Sequence, residues 1–254
     1  MALDVFWIAH RGGGVAAPEN TLAAFRAGLA AGFRAFECDV QLSRDGVVFL
    51  LHDARLERTT VRGRGVAAHR TWMQLRRLEA GTWFARACAG EPLPRLAEVL
   101  ALAAARRLWL NIEMKPARGR VRRLGTVVAR QVLRACRRYP RLPPPLLSSF
   151  APAALRAARA QCRRRGVLLP LALLARHWQA DLPGRAQRLG AQALHLHWRA
   201  VTPARVRAVA AAGLDLRVYT VNRIDTARRL RALDVAGVFT DRLDLPVRLS
   251  APLH

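Results

Sequence analysis

The chain has 254 residues, 52% of them apolar, and a formal charge of +26 from 43 basic against 17 acidic side chains. That length and apolar content suffice for one large core in one domain, and no run approaches 18 consecutive apolar residues, which excludes a membrane-spanning helix. The four cysteines, Cys38, Cys88, Cys136 and Cys162, lack C-x-x-C spacing, which argues against a zinc knuckle or redox motif and leaves free thiols as the expectation.

Met1-Ala2-Leu3-Asp4 shows no basic stretch followed by an apolar run and a small-residue cleavage site, so a soluble, cytoplasmic protein is expected. All but one of the basic residues are arginine. They are scattered along predicted helices, as at Arg106-Arg107, Arg122-Arg123, Arg137-Arg138 and Arg228-Arg229, without a tail or aromatic interleaving. Solvated helix faces are expected rather than a nucleic-acid surface. The single lysine, Lys115, stands out in a chain that otherwise uses arginine, and suggests a role for a compact ammonium.

Short apolar runs alternate with Ala/Leu/Arg segments of helical period, the pattern of βαβ units. In chain order, strands are expected near 5–9, 34–40, 108–113, 145–149, 166–170, 193–197, 215–220 and 236–240. Helices are expected near 20–31, 95–106, 121–138, 151–164, 183–189, 203–212 and 224–232, with Asn20, Thr202 and Asp225 as starts. Eight strands with seven intervening helices predict a closed (β/α)8 TIM barrel, of fold class α/β, over an open sheet. Gly12-Gly13-Gly14 runs on into Val15-Ala16-Ala17-Pro18, so no dinucleotide-binding turn is present.

Asp45-Gly46 after the second strand reads as a two-residue hairpin turn, which would pair Arg44 with Val47 and set Asp39 opposite His52. Residues 54–95 then form an inserted loop or small lid rather than a second domain.

In such a barrel the chemistry gathers at the C-terminal ends of the strands. His10-Arg11, Glu37-Cys38-Asp39, His52 and Glu113-Met114-Lys115 all fall there. Glu37 and Asp39 are two apart on a strand, so both face the barrel mouth. Two close carboxylates need a cation or proton between them, and a hard divalent ion with Glu113 as a third oxygen ligand meets that need. The plainer alternative is an ion network with Arg11 and Lys115. His10 and His52 suit acid and base roles at a phosphorus centre, with Arg11 and Lys115 on its non-bridging oxygens. His195 and His197 share a strand face and could line the pocket, whereas His69, His177 and His254 are expected at the surface.

These residues, with Pro18-Glu19-Asn20-Thr21, His52-Asp53, Lys115-Pro116, Tyr219-Thr220-Val221-Asn222 and Thr240-Asp241, resemble the glycerophosphodiester phosphodiesterase family. Gly-Glu-Pro-Leu-Pro at 90–94 and Pro-Leu-Leu-Ser-Ser-Phe at 145–150 look like its short cytoplasmic bacterial branch, associated with glycerol 3-phosphate uptake. The resemblance implies a TIM-barrel hydrolase that uses Mg2+ or Ca2+ to cleave glycerophosphocholine or glycerophosphoethanolamine into sn-glycerol 3-phosphate and an alcohol. It puts metal ligands at Glu37, Asp39 and Glu113, catalytic histidines at His10 and His52, phosphate contacts at Arg11 and Lys115, and Tyr219 on the glycerol or pocket wall. A lysophospholipase D or phospholipase C-like lipid hydrolase is the nearest rival, with Trp72, Trp83 and Phe84 as a conceivable lipid wall. A basic nucleic-acid- or membrane-binding barrel is the non-enzyme alternative. The sequence leaves the oligomeric state open.

Overall fold

The computed structural model describes residues 6–250, and side chains through residue 249. The expectations for Met1 to Asp4, Val5 and His254 lie outside the described residues. Nine strands form one sheet: β1 (Trp7–Ala9), β2 (Ala35–Leu42), β3 (Val48–Leu50), β4 (Trp109–Met114), β5 (Leu146–Ser149), β6 (Leu171–Ala175), β7 (Ala193–His197), β8 (Asp215–Tyr219) and β9 (Gly237–Thr240). All but β3 are parallel. β1 pairs with both β2 and β9, which closes the eight parallel strands into the predicted (β/α)8 barrel.

The α-helices are α1 (Leu22–Ala30), α2 (Trp72–Leu75), α3 (Leu96–Arg106), α4 (Val121–Arg138), α5 (Pro152–Arg163), α6 (Leu182–Leu189), α7 (Pro203–Ala211), α8 (Ile224–Ala232) and α9 (Leu245–Ser250), with short 3-10 turns at Ala67–His69, Arg86–Cys88 and Trp198–Ala200. α4 shows why they form a layer. Leu124, Val128, Ala129, Val132 and Leu133 recur at helical spacing and are buried, while arginines take the outer positions. The main core lies between this layer and the strands. Among the described residues no helix is long and apolar enough to cross a membrane, and all four cysteines are unpaired.

Four expectations need correction. The sixth strand was expected at 166–170 and lies at Leu171–Ala175. Val167 and Leu168 are exposed, and the ladder begins only after Pro170, which has no N–H to donate. The first helix is capped by Thr21, whose Oγ1 accepts from the Ala24 N–H, and not by Asn20. Thr202 does cap α7, but Arg223 precedes α8 and Asp225 sits within its first turn.

The hairpin register is the fourth. β2 and β3 pair Val40 with Leu50, Gln41 with Phe49 and Leu42 with Val48, one residue off the expected register. A two-residue type I′ turn needs positive φ at both central residues, yet only Gly46 of the Asp45-Gly46 pair has it, at +94°. Asp45 instead accepts hydrogen bonds from the Ser43 hydroxyl and the Trp72 N–H, and the loop takes three residues. Asp39 therefore faces Leu51, whose N–H donates to its carbonyl. His52 still reaches the barrel mouth, because the chain has left the ladder and the Gln41 side chain holds the carbonyls of Leu51 and Asp53 on either side of it.

The 54–95 insertion has more order than its composition suggested. Leu56, Ala67, Leu75, Ala80 and Leu93 close over Phe49 and Leu51 of the hairpin, with Trp72 at the edge.

Candidate active site

The barrel's C-terminal end opens into a cavity of about 340 Å³ lined by His10, Arg11, Glu37, His52, Glu113 and Lys115 on one side and by Phe150, Leu174, Arg176, His197 and Tyr219 on the other. Asn111, His195 and Phe239 complete its lining. Asp39 lies buried beneath it. The strands place these groups as the two-residue period requires: Glu37 and Asp39 alternate with Cys38, which faces the outer core.

Ligand oxygens of Glu37, Asp39 and Glu113 lie within 4.8 Å of one another. Glu37 Oε1 is buried without a partner, and Asp39 Oδ1 and Glu113 Oε1 are buried with only the Lys115 ammonium beside them. Burial, and after it the charge of Asp39, push the carboxyls of Glu37 and Glu113 well above the usual carboxylate range. Burial works the same way on Asp39, but Lys115 and Arg11 outweigh it and hold that carboxyl low. The Lys115 ammonium sits 2.6 Å from Glu113 Oε1 and 3.3 Å from Asp39 Oδ1, and Arg11 Nε lies 3.6 Å from Asp39 Oδ2. The alternative ion network is thus present at Asp39 but not at Glu37, whose Oε1 has no cation beside it. Three buried carboxylates on adjacent strands, with Glu37 Oε1 unpartnered and one Lys115 ammonium shared between the other two, are a donor set that fits a hard divalent ion.

Each histidine is held by an aspartate. His10 Nδ1 lies 2.6 Å from Asp241 Oδ1, and His52 Nδ1 lies 2.6 Å from Asp53 Oδ1. A carboxylate on Nδ1 fixes the proton there in the neutral ring and leaves Nε2 for the cavity. Asp241 is held in turn by Asn222, whose Nδ2 donates to it over 2.7 Å. Arg58 donates to both Asp53 and Glu19, and Glu19 also accepts from Arg11, so one chain of charges ties His52 to the loop after β1.

The two rings are biased in opposite directions. Burial pulls the His10 pKa down, but the Asp241 hydrogen bond and the Glu37 charge outweigh it and the net shift is upward. For His52 burial, aided by Arg11 and Lys115, outweighs Asp39 and Asp53, and the net shift is downward.

The structure gathers every expected site residue at one mouth. Arg11 and Lys115 are there with carboxylate partners of their own, and Tyr219 forms a wall, its hydroxyl donating to the Ala175 carbonyl. His195 and His197 line the cavity as expected, and His69 and His177 are exposed. Asn20 has a different job from the one expected: its Nδ2 donates to Asp39 Oδ2 and its Oδ1 accepts from the Asp39 N–H. Sequence reasoning assigned no role to Asp53, Asp241, Glu19 or Arg58. Their only signal was membership in the quoted runs His52-Asp53, Pro18-Glu19 and Thr240-Asp241, and Arg58 gave none. None of Trp72, Trp83 and Phe84 lines the cavity. Trp72 packs on Phe49 in the insertion's own core, and Trp83 donates to the Ala80 carbonyl.

Known proteins resemble this chain in sequence and in fold. The glycerophosphoryl diester phosphodiesterase family model matches residues 10–245. A glycerophosphodiester phosphodiesterase of Caldanaerobacter subterraneus is 32% identical over 92% of this chain and 93% of its own. A phosphodiesterase of Oleispira antarctica, solved in complex with the product sn-glycerol-3-phosphate, superposes with a TM-score of 0.86 at 28% identity, covering 96% of each chain. A glycerophosphodiester phosphodiesterase of Agrobacterium tumefaciens gives 0.75 at 26% identity, over 95% of this chain and 98% of that one. A family match across nearly the whole chain, on a barrel whose mouth holds three carboxylates between two aspartate-bound histidines, leaves one assignment: the chain belongs to the glycerophosphoryl diester phosphodiesterase family, and it is a phosphoric diester hydrolase.

Proposed function

We propose that this enzyme hydrolyses glycerophosphodiesters to sn-glycerol 3-phosphate and an alcohol, with Glu37, Asp39 and Glu113 holding Mg2+ or Ca2+ and with His10 and His52 as acid and base. One observation carries the reading: two imidazoles, each held at Nδ1 by an aspartate and shifted in opposite directions, line one cavity together with the carboxylate cluster. Groups whose environments drive their protonation apart are suited to opposite halves of a proton transfer.

The upward-shifted His10 holds a proton at Nε2 for the departing alkoxide, and Asp241 keeps the imidazolium stabilised. His52, neutral by its downward shift, offers Nε2 as the base that removes a proton from the attacking hydroxyl. Arg11 and Lys115 would turn from their carboxylates toward the non-bridging phosphoryl oxygens as negative charge builds there. The divalent ion would supply Lewis-acid charge at the phosphoryl oxygens. Tyr219 and Phe150, ring centroids 6.0 Å apart, would wall the substrate's alcohol side against water. We take the chain to act as one catalytic barrel with the 54–95 insertion as a cover whose Arg58 steadies His52. Four unpaired thiols, two of them buried, suit a reducing compartment such as the cytoplasm.

The test is direct: purified protein is given glycerophosphocholine with Mg2+, Ca2+ or Mn2+, and sn-glycerol 3-phosphate is measured by a coupled dehydrogenase. Product formation that disappears in His10→Ala and His52→Ala supports the reading. Turnover of lysophosphatidylcholine but not of the deacylated diester would move the assignment to a lysophospholipase D.

A further inference from the structure

The far wall of the cavity carries a guanidinium, Arg176. Arg176 and His197 line both the catalytic cavity and an adjoining groove of about 680 Å³, whose other walls are His177, Trp178, Arg199 and Arg205. No carboxylate among the described residues lies within ion-pair distance of Arg176, Arg199 or Arg205. Arg11 of the opposite wall and Arg58 of the insertion differ in this respect, since they are committed to Glu19, Asp39 and Asp53. Arginine is common over the whole surface, and the cleft between α1 and α3 also has Arg26, Arg34, Arg106 and Arg107 on its walls. The groove beside β6 and β7 is set apart by sharing Arg176 and His197 with the catalytic cavity.

The aromatic rings in and around the groove and the cavity point the same way. A quaternary ammonium is bound by open aromatic faces. Here the guanidinium of Arg199 lies 4.6 Å from the Trp198 ring centre, that of Arg205 lies 5.7 Å from Trp178, and Lys115 lies 5.8 Å from Phe150. The protein's own cations already occupy these faces, and a cationic head group would meet repulsion.

Building on the diesterase reading above, we infer that the substrate arm lying against β6 to β8 carries a second phosphate, seated among Arg176, Arg199 and Arg205. Guanidinium forks match phosphate oxygens two at a time, and a groove that shares Arg176 and His197 with the reaction cavity adjoins the arm of a bound diester. The preferred substrates are therefore glycerophosphodiesters with a second phosphoryl group, such as bis(glycerophospho)glycerol, over those ending in choline.

Binding separates this inference from the catalytic one. The His52→Ala protein, which retains the groove, is titrated in Ca2+ buffer with bis(glycerophospho)glycerol and with glycerophosphocholine, alone and with Arg176→Gln added. The bis-phosphate is expected to bind about tenfold tighter or more, from one or two charge-assisted hydrogen bonds. Arg176→Gln should pull that ratio toward one, and high salt should do the same. Equal affinities, tighter choline binding, or a ratio unmoved by Arg176→Gln overturns the inference. Absence of turnover of either diester by the unmodified enzyme with every cation would instead sink the hydrolase reading, and the binding ratio would still decide this one.

Discussion

His10 and Asp241 are 231 positions apart and meet at 2.6 Å, because β1 and β9 are neighbours in the closed barrel and each residue immediately follows its strand. Barrel closure therefore also sets the hydrogen-bond partner of the His10 imidazole. Asp241 raises the His10 pKa, so replacing it should lower that pKa. If His10 acts as the protonated acid, its pKa sets the alkaline limb of the kcat/KM profile. Asp241→Asn should move this limb to lower pH and cost about tenfold or more of the ~10²–10⁴ that acid/base catalysis contributes. An unchanged alkaline limb would show that His10 is not the acid.

The opposite bias of His52 predicts the acidic limb. A base must be unprotonated, so activity should rise as pH passes upward through the His52 pKa, which burial and the Arg11 and Lys115 charges hold below its ordinary value. His52→Ala should remove this limb and lower kcat by about 10²-fold or more. His10→Ala should cost a similar factor. Circular dichroism and the melting midpoint should stay close to those of the parent protein, since both rings border the cavity. Near-parental turnover in either variant contradicts the acid/base pair.

The eight-strand barrel and the positions of Glu37, Asp39 and Glu113 were legible because both rest on short-range periodicity, two along a strand and 3.6 along a helix. The hairpin register slipped by one because the turn type depends on the backbone of Asp45, which is set by Ser43 and by Trp72 of the insertion. The sixth strand slipped by five because an apolar run marks burial only where the chain can also pair, and Pro170 delays the ladder. Asp241 and Arg58 could not be assigned roles because no local rule links residues that only closure or an insertion brings together. The long pairings Arg58 with Glu19 and His10 with Asp241 are of this kind.

The carboxylate cluster predicts a linkage between cation, protons and stability. Glu37 and Glu113 hold protons more tightly in the folded chain than when unfolded, so their contribution is present at low pH and is lost as pH rises through their raised values. The metal-free protein should melt at lower temperature on the alkaline side. Ca2+ or Mg2+ should reverse that loss, by about 2.7 kcal/mol at a hundredfold excess over Kd. Cation binding near neutral pH should also release protons, measurable as a binding enthalpy that changes with the ionisation enthalpy of the buffer. A chelator should abolish turnover. Full activity after chelation, with no cation-dependent melting shift, removes Glu37, Asp39 and Glu113 from the proposed ligand set.

The loop after β1 supplies a test that touches neither imidazole. Gly14 has φ of +55°, and a Cβ there would fall on the carbonyl of Asp241, which already accepts a hydrogen bond from the Val15 N–H at 3.0 Å. Gly14→Ala must therefore displace the residue that sets the His10 proton, in addition to about 1 kcal/mol or more of backbone strain. Gly213, with φ of +67° and nothing within 4 Å of a built Cβ, isolates the strain alone. Gly213→Ala should lower the melting midpoint and leave kcat and its pH profile intact, whereas Gly14→Ala should lower both stability and kcat and shift the alkaline limb in the direction of Asp241→Asn. Gly14→Ala with a parental pH profile would mean that Asp241 keeps its hold on His10 without the tight fit of this loop, and that the closure of β1 on β9 alone fixes the pair.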